Sequence, residues 1–313
     1  MKRNPTATSI PRAHEAIRTR CFHPSGSFPK FAKEDLEASI PDRFERICRQ
    51  YPERIAVKSE SQVLTYSDLN AEANRIARQI RARLRGGAEP VGLLFNDAAH
   101  LAAAMLGVLK AGHFLMLLDS SFPKSRNEAL LEDCQVCLVI ADHENISLAN
   151  DLIVGSRTLM EFESLDSKIS ADNLALRIPP GAFAAVVYTS GSTGEPKGVI
   201  WNHQDLLHRI MLRTVENEVC VHDRVALLSR GTANAVTSSF FALLNGAMLC
   251  AFEVQKEGVI RLAKWLAEER ITICPFSSSL LRSFVSMLHG HEMFPDLRIV
   301  RLRSETVHKS DFE

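Results

Sequence analysis

The sequence predicts an α/β protein of layered, mostly parallel sheets with flanking helices. Three observations carry that expectation. Short, continuously apolar runs alternate with amphipathic stretches of helical length, the pattern of parallel strands covered on both faces. Apolar residues make up 46% of the 313 and charged residues 24%, a balance that supports a large buried core. No internal repeat or low-complexity tract interrupts the alternation.

Residues 1–40 contain Pro5, Pro11, Pro24, Pro29 and the turn-like Ser25-Gly26-Ser27, with little periodicity. They read as a leader or linker, which leaves one domain over 41–313. Ser39-Ile40-Pro41-Asp42 offers a cap with proline in the first turn, and Phe44, Ile47, Cys48 and Tyr51 follow at helical spacing. Strands at 55–58 and 63–65 precede a helix over 67–84. The alternation then runs strand 91–95, helix 98–110, strand 114–118, helix 124–134 and strand 136–140. Residues 144–180 are less regular and read as a connector. Beyond it we expect strand 183–188, helix 203–215, strand 225–228, helix 237–245, strand 247–252, helix 259–269 and strand 271–275.

Lysine plus arginine equals aspartate plus glutamate at 37 each, so no global field favours nucleic acid or an anionic membrane. No apolar run approaches the ~18 residues of a membrane span. The start carries Lys2, Arg3, Arg12, Arg18 and Arg20 but no apolar stretch of a secretory signal, so the cytoplasm is the expected compartment. Seven cysteines lie mostly within apolar runs and read as core thiols in a reducing compartment. Cys134 and Cys137 form a CxxC with no second Cys or His pair at zinc spacing, and no metal site is expected there.

The stretch that carries chemistry is Tyr188-Thr189-Ser190-Gly191-Ser192-Thr193-Gly194-Glu195-Pro196-Lys197-Gly198, directly after the apolar strand Ala184-Ala185-Val186-Val187. Glycines let successive backbone N–H groups converge on an anion. The hydroxyls of Thr189, Ser190, Ser192 and Thr193 add donors, and Lys197 adds a full charge. Such a loop suits polyphosphate. It is not a Walker A loop, because Pro196 precedes Lys197 and Gly198 follows it.

This string resembles the phosphate-binding signature of the adenylate-forming (AMP-binding) superfamily, which includes acyl-CoA synthetases, luciferases and the adenylation domains of non-ribosomal peptide synthetases. Every position of Thr189 to Gly198 fits the form TSGSTGxPKG. Leu64-Thr65-Tyr66-Ser67-Asp68-Leu69 looks like the first core motif. Leu109-Lys110-Ala111-Gly112, with Leu118-Asp119 and Phe122-Pro123, looks like the second. Phe241-Ala242-Leu243-Leu244-Asn245-Gly246-Ala247 looks like the junction after the fourth.

The resemblance covers residue 40 onward and implies most of the large N-terminal subdomain of an adenylate-forming enzyme. It implies ATP, held at its β- and γ-phosphates by Thr189, Ser190, Gly191, Ser192, Thr193, Gly194 and Lys197, together with Mg²⁺. The implied reaction joins a carboxylic acid to AMP and passes the acyl group to CoA or a carrier-protein thiol. His203 falls where the family often has a histidine near the acyl site; a solvent-facing helix-start histidine is the alternative. Asp119 reads as a strand-end residue capping the next turn.

Two departures from the family pattern bear on function. Domains that activate α-amino acids place an aspartate where this chain has Ala233, and a buried ammonium without its carboxylate is costly. Pocket positions counted across are Ala233, Asn234, Thr237, Pro275, Val300 and Leu302, mainly small or apolar. They imply an acid without an α-amino group. Arg303-Ser304-Glu305 stands where the fifth motif opens with Gly-Gly-Glu, and no Mg²⁺ ligand or catalytic lysine of the later motifs is found before Glu313. The sequence therefore suggests a chain inactive alone, a nucleotide-binding module or remnant.

Overall fold

The computed structural model describes residues 21–22, 25, 31, 33–190, 196–229 and 233–303. In chain order the elements are α1 (Ile40–Gln50), β1 (Ile55–Lys58), β2 (Val63–Thr65), α2 (Tyr66–Arg83), β3 (Pro90–Leu94), α3 (Ala98–Lys110), β4 (Phe114–Leu117), α4 (Lys124–Asp133), β5 (Leu138–Ala141), α5 (Ile146–Leu152) and β6 (Thr158–Glu161). There follow β7 (Phe183–Ser190), β8 (Pro196–Asn202), α6 (His203–Asn217), β9 (Arg224–Leu227), α7 (Ala233–Leu243), β10 (Met248–Ala251), α8 (Val254–Glu257), α9 (Val259–Glu268), β11 (Ile273–Ser277), α10 (Ser278–Ser286) and β12 (Ile299–Arg303).

Local chemistry fixes the helix starts. Ser39 and Asp42 form a reciprocal capping box at α1, and Thr65 and Asp68 form another at α2. Asp97 caps α3 through the N–H groups of Ala99 and His100. In α3 every residue except His100 is buried, as its Ala-rich sequence allows.

The strands form two six-stranded sheets, ordered β12-β11-β9-β10-β1-β2 and β6-β5-β3-β4-β7-β8. Pairing is parallel except for β1–β2 and β7–β8. The largest core lies between the sheets, where α2, α3 and α7 meet Val57, Leu249 and Ile273 of one sheet and Val91, Leu115 and Ala185 of the other. The outer face of the second sheet packs on α4 and α5, and the outer face of the first on α9 and α10. The expected layering of mostly parallel sheets with flanking helices is what the chain adopts.

Four features differ from the sequence reading. The connector at 144–180 holds α5 and the edge strand β6, whose Thr158 and Glu161 are exposed, so β6 lacks an apolar run. The residue pattern predicts no strand at β8, yet Pro196–Asn202 pairs with β7 as an edge strand whose Lys197 through Ile200 are all exposed. Cys137 is exposed rather than buried, although Cys48, Cys220, Cys250 and Cys274 are core thiols. The boundary at residue 40 falls inside the folded body: buried Asp35 pairs with Arg43 at 2.6 Å and Arg46 at 2.7 Å, and the Arg43 guanidinium lies 3.4 Å from the Phe31 ring centroid. Residues 1–20 of the expected leader lie outside the described residues.

Candidate functional site

The phosphate-loop motif sits on an antiparallel hairpin at the carboxyl end of the second sheet. β7 pairs in parallel with β4 through Ala185 and Val186, and with β8 from Phe183 to Ser190. Thr189 is registered against Lys197 and Ser190 against Pro196, so both ends of the loop are held side by side. Gly191, Ser192, Thr193 and Gly194 lie outside the described residues. For Thr189 and Ser190 the backbone register alone is described. Lys197 is exposed and forms no ion pair among the described residues.

Gly198 is registered against Tyr188, and a Cβ at Gly198 would stand 3.3 Å from the Tyr188 ring. The missing side chain lets the tyrosine ring lie across the facing strand. Tyr188 donates its hydroxyl to Asp133 Oδ2 at 2.6 Å, at the end of α4. Burial, then this carboxylate, pushes the phenol pKa above its ordinary range. The sequence signals neither partner.

The carboxyl ends of both sheets meet in a cavity of about 110 Å³ lined by residues including Asn96, Asp119, Ser229 and Phe252. A crevice of this kind, outside the carboxyl ends of parallel strands, is where open α/β sheets bind ligands. Asp119 accepts the N–H and hydroxyl of Ser121 at 2.9 and 2.6 Å, so it caps its turn as expected. A larger groove of about 1010 Å³ adjoins it through Asn96 and Phe252 and is lined further by Lys58, Trp265 and Glu269. There Lys58 already pairs with Glu269 at 2.7 Å, and neither the groove nor the smaller cavity is lined by residues of the hairpin.

His203, the first residue of α6, is 1% exposed, which excludes a solvent-facing ring. Its Nδ1 accepts the N–H of Ile40 at 3.2 Å, satisfying a first-turn donor of α1 across 163 residues of sequence. Burial lowers its pKa to about 4, so the ring is neutral at pH 7.

The counted acyl-pocket positions separate into two groups. Ala233 and Thr237 lie one turn apart on α7, Thr237 donating to Ala233 O at 3.1 Å, and Asn234 beside them is exposed. The first turn of α7 carries no acidic residue. Val300 and Leu302 do not join this group. They are registered with Cys274 and Phe276 on the outer face, where Leu302 packs with the α9–α10 cluster and Val300 is 46% exposed. On the inner face Pro275 is registered with Arg301, whose guanidinium lies 5.3 Å from the Phe241 ring of α7. Strand side chains alternate, so a one-residue difference in counting exchanges the faces.

No group of three His, Cys, Asp or Glu side chains among the described residues is placed to hold a metal ion, so no residue is assigned to Mg²⁺. None of the described helices is long and apolar enough to cross a membrane.

Two layered sheets with a Gly/Ser/Thr hairpin at their carboxyl ends define the class: the N-terminal subdomain of adenylate-forming enzymes. A family profile described as AMP-binding enzyme matches residues 44–310, and the chain belongs to that family. It is 33% identical over 268 residues to gramicidin S synthase 2 of Brevibacillus brevis, covering 83% of this chain and 6% of that protein. It is 35% identical over 260 residues to surfactin synthase subunit 2 of Bacillus subtilis (strain 168), covering 82% of this chain and 7% of that protein. The N-terminal subdomain of Klebsiella oxytoca NpsA, in complex with 3-hydroxybenzoyl-AMSN, matches with a TM-score of 0.79 at 20% identity, over 91% of this chain and 70% of that one. The N-terminal domain of FACL13 from Mycobacterium tuberculosis gives 0.78 at 20% identity, over 88% and 72%. The chain thus spans less than a tenth of the length of either synthase.

Proposed function

We propose that the protein serves ATP-dependent activation of a carboxylic acid as its acyl-adenylate, for transfer to the thiol of CoA or a carrier protein. The observation that carries this reading is the complete Thr189–Gly198 signature on a hairpin that presents an exposed Lys197 at the carboxyl end of the sheet. In this role Lys197 and the loop hold the β- and γ-phosphates and assist departure of pyrophosphate. Mg²⁺ would neutralise phosphate charge when bound. We assign the acid to a class without an α-amino group, because Ala233 and the first turn of α7 offer no carboxylate to an ammonium. A relative's subdomain carrying a 3-hydroxybenzoyl analogue is in keeping with that class.

A second reading, a nucleotide-binding module without turnover, is favoured by Arg303-Ser304-Glu305 in place of the family's Gly-Gly-Glu. ATP–pyrophosphate exchange separates the two. The chain is assayed with aryl, fatty, hydroxy and the twenty common amino acids, alone and with the C-terminal lid fragment of a related enzyme supplied. Exchange with acids lacking an α-amino group supports the ligase reading. ATP binding without exchange supports the second, and strong exchange with a common α-amino acid overturns the assignment from Ala233.

A further inference from the structure

The hairpin that carries Lys197 outruns its own sheet. Parallel pairing of β7 to β4 ends at Val186, so beyond that row β7 and β8 continue as a two-stranded ribbon. β8 is the sheet's edge, with Lys197, Gly198, Val199 and Ile200 all exposed. An isolated two-stranded ribbon is marginal in water and needs a further contact to hold one attitude. On one face Val187 supplies it by entering the core between the sheets. On the other face the contact is Tyr188, whose ring packs against the α4–α5 cluster and whose hydroxyl reaches Asp133 at 2.6 Å. The phenol also meets the half-buried thiol of Cys134. Lys197 stands one residue pair beyond this contact, about 3.4 Å further along the strand. A small rotation of the ribbon about its base therefore moves the ammonium directly.

We infer that Tyr188 and Asp133 are positioning residues that lock the base of the phosphate hairpin to α4 and so aim Lys197 at the phosphates. Neither side chain touches phosphate; both act through the ribbon, and Gly198 is glycine so that the ring can span it. The inference rests on the proposed phosphate role of the loop. Its mechanical half is independent of ATP.

Two readouts test it on the whole chain. Tyr188→Phe and Asp133→Ala should each weaken ATP binding about fivefold by calorimetry, because a charge-assisted hydrogen bond is lost at the base of the ribbon. The double variant should be no worse than either single one, since one contact is removed three ways. Asp133→Asn, which keeps a carbonyl acceptor for the phenol, should restore most of the affinity. Tryptic cleavage after Lys197 should be faster in Tyr188→Phe and Asp133→Ala, relative to cleavage elsewhere in the same chain. Unchanged cleavage after Lys197 in both, with native circular dichroism, overturns the anchor. Unchanged ATP affinity in both, when Lys197→Ala weakens binding, overturns the positioning role and leaves the phosphate loop standing. If Lys197→Ala leaves ATP affinity unchanged, the phosphate reading falls, and with it the positioning role.

Discussion

Gly107 of α3 lies directly against Ile76 of α2. A Cβ built on Gly107 would come within 2.5 Å of Ile76 Cγ2 and 3.2 Å of the Ala73 carbonyl oxygen. Both helices contribute to the core between the sheets, and this approach sets how closely the two helices pack. Gly107→Ala should destabilise the protein by about 1–3 kcal/mol through overpacking, outweighing the ~1 kcal/mol by which alanine favours a helix interior. Urea unfolding measures it, and an unchanged or raised midpoint would count against the packing described.

The buried pair of Arg298 and Asp223 ties the start of β12 to β9 and the end of α6. Arg298 donates to both Asp223 oxygens at 2.9 and 2.7 Å, and Asp223 also accepts from Cys220 N and Thr272 Oγ1. Arg298→Ala leaves a fully buried carboxylate without its charge partner and should cost about 3–5 kcal/mol. Exchanging both residues for apolar ones of similar volume should cost much less. Equal losses in the single and double variants would argue against a charge origin.

Acid should loosen the contact between α1 and α6. The pKa of His203 is near 6.5 unfolded and is lowered by burial to about 4 in the fold. Between those values the unfolded chain takes up a proton that the folded chain refuses. The His203 contribution is therefore intact above about pH 6.5 and shrinks as pH falls toward 4, by up to about 3 kcal/mol. Urea unfolding from pH 7.5 to 4.5 should show a shallower decline for His203→Gln than for the wild type. Parallel declines would mean that His203 is protonated in the fold.

Much of this architecture is legible in the residue pattern, for identifiable reasons. The Ala-rich α3 and the strands around it are buried on every side, so their apolar runs are long and unbroken. Ser39 announces its helix because a capping box is a local interaction, while the box of Thr65 and Asp68 lies at the end of an expected strand and emerges only in the structure. Elements held by pairing alone leave weaker signals. β8 draws its order from β7 and shows an exposed face, and β6 is a partly exposed edge strand. The counted pocket positions fall on two faces for a geometric reason: alternation along β12 puts Arg301, not Val300 or Leu302, on the face toward α7. Within the phosphate loop the chemistry is explicit in the residue types. The Tyr188–Asp133 contact joins residues 55 apart in sequence, and no local pattern encodes it.

The proposed acid activation and the positioning role of Tyr188 both depend on the β7–β8 hairpin binding polyphosphate through Lys197. Calorimetric titration of ATP into the wild-type chain and into Lys197→Ala isolates that single interaction. Loss of a charge-assisted hydrogen bond predicts weakening by about 1.5–3 kcal/mol, roughly 10- to 150-fold in Kd. Equal affinity of the two proteins for ATP would contradict the assignment of this hairpin to phosphate.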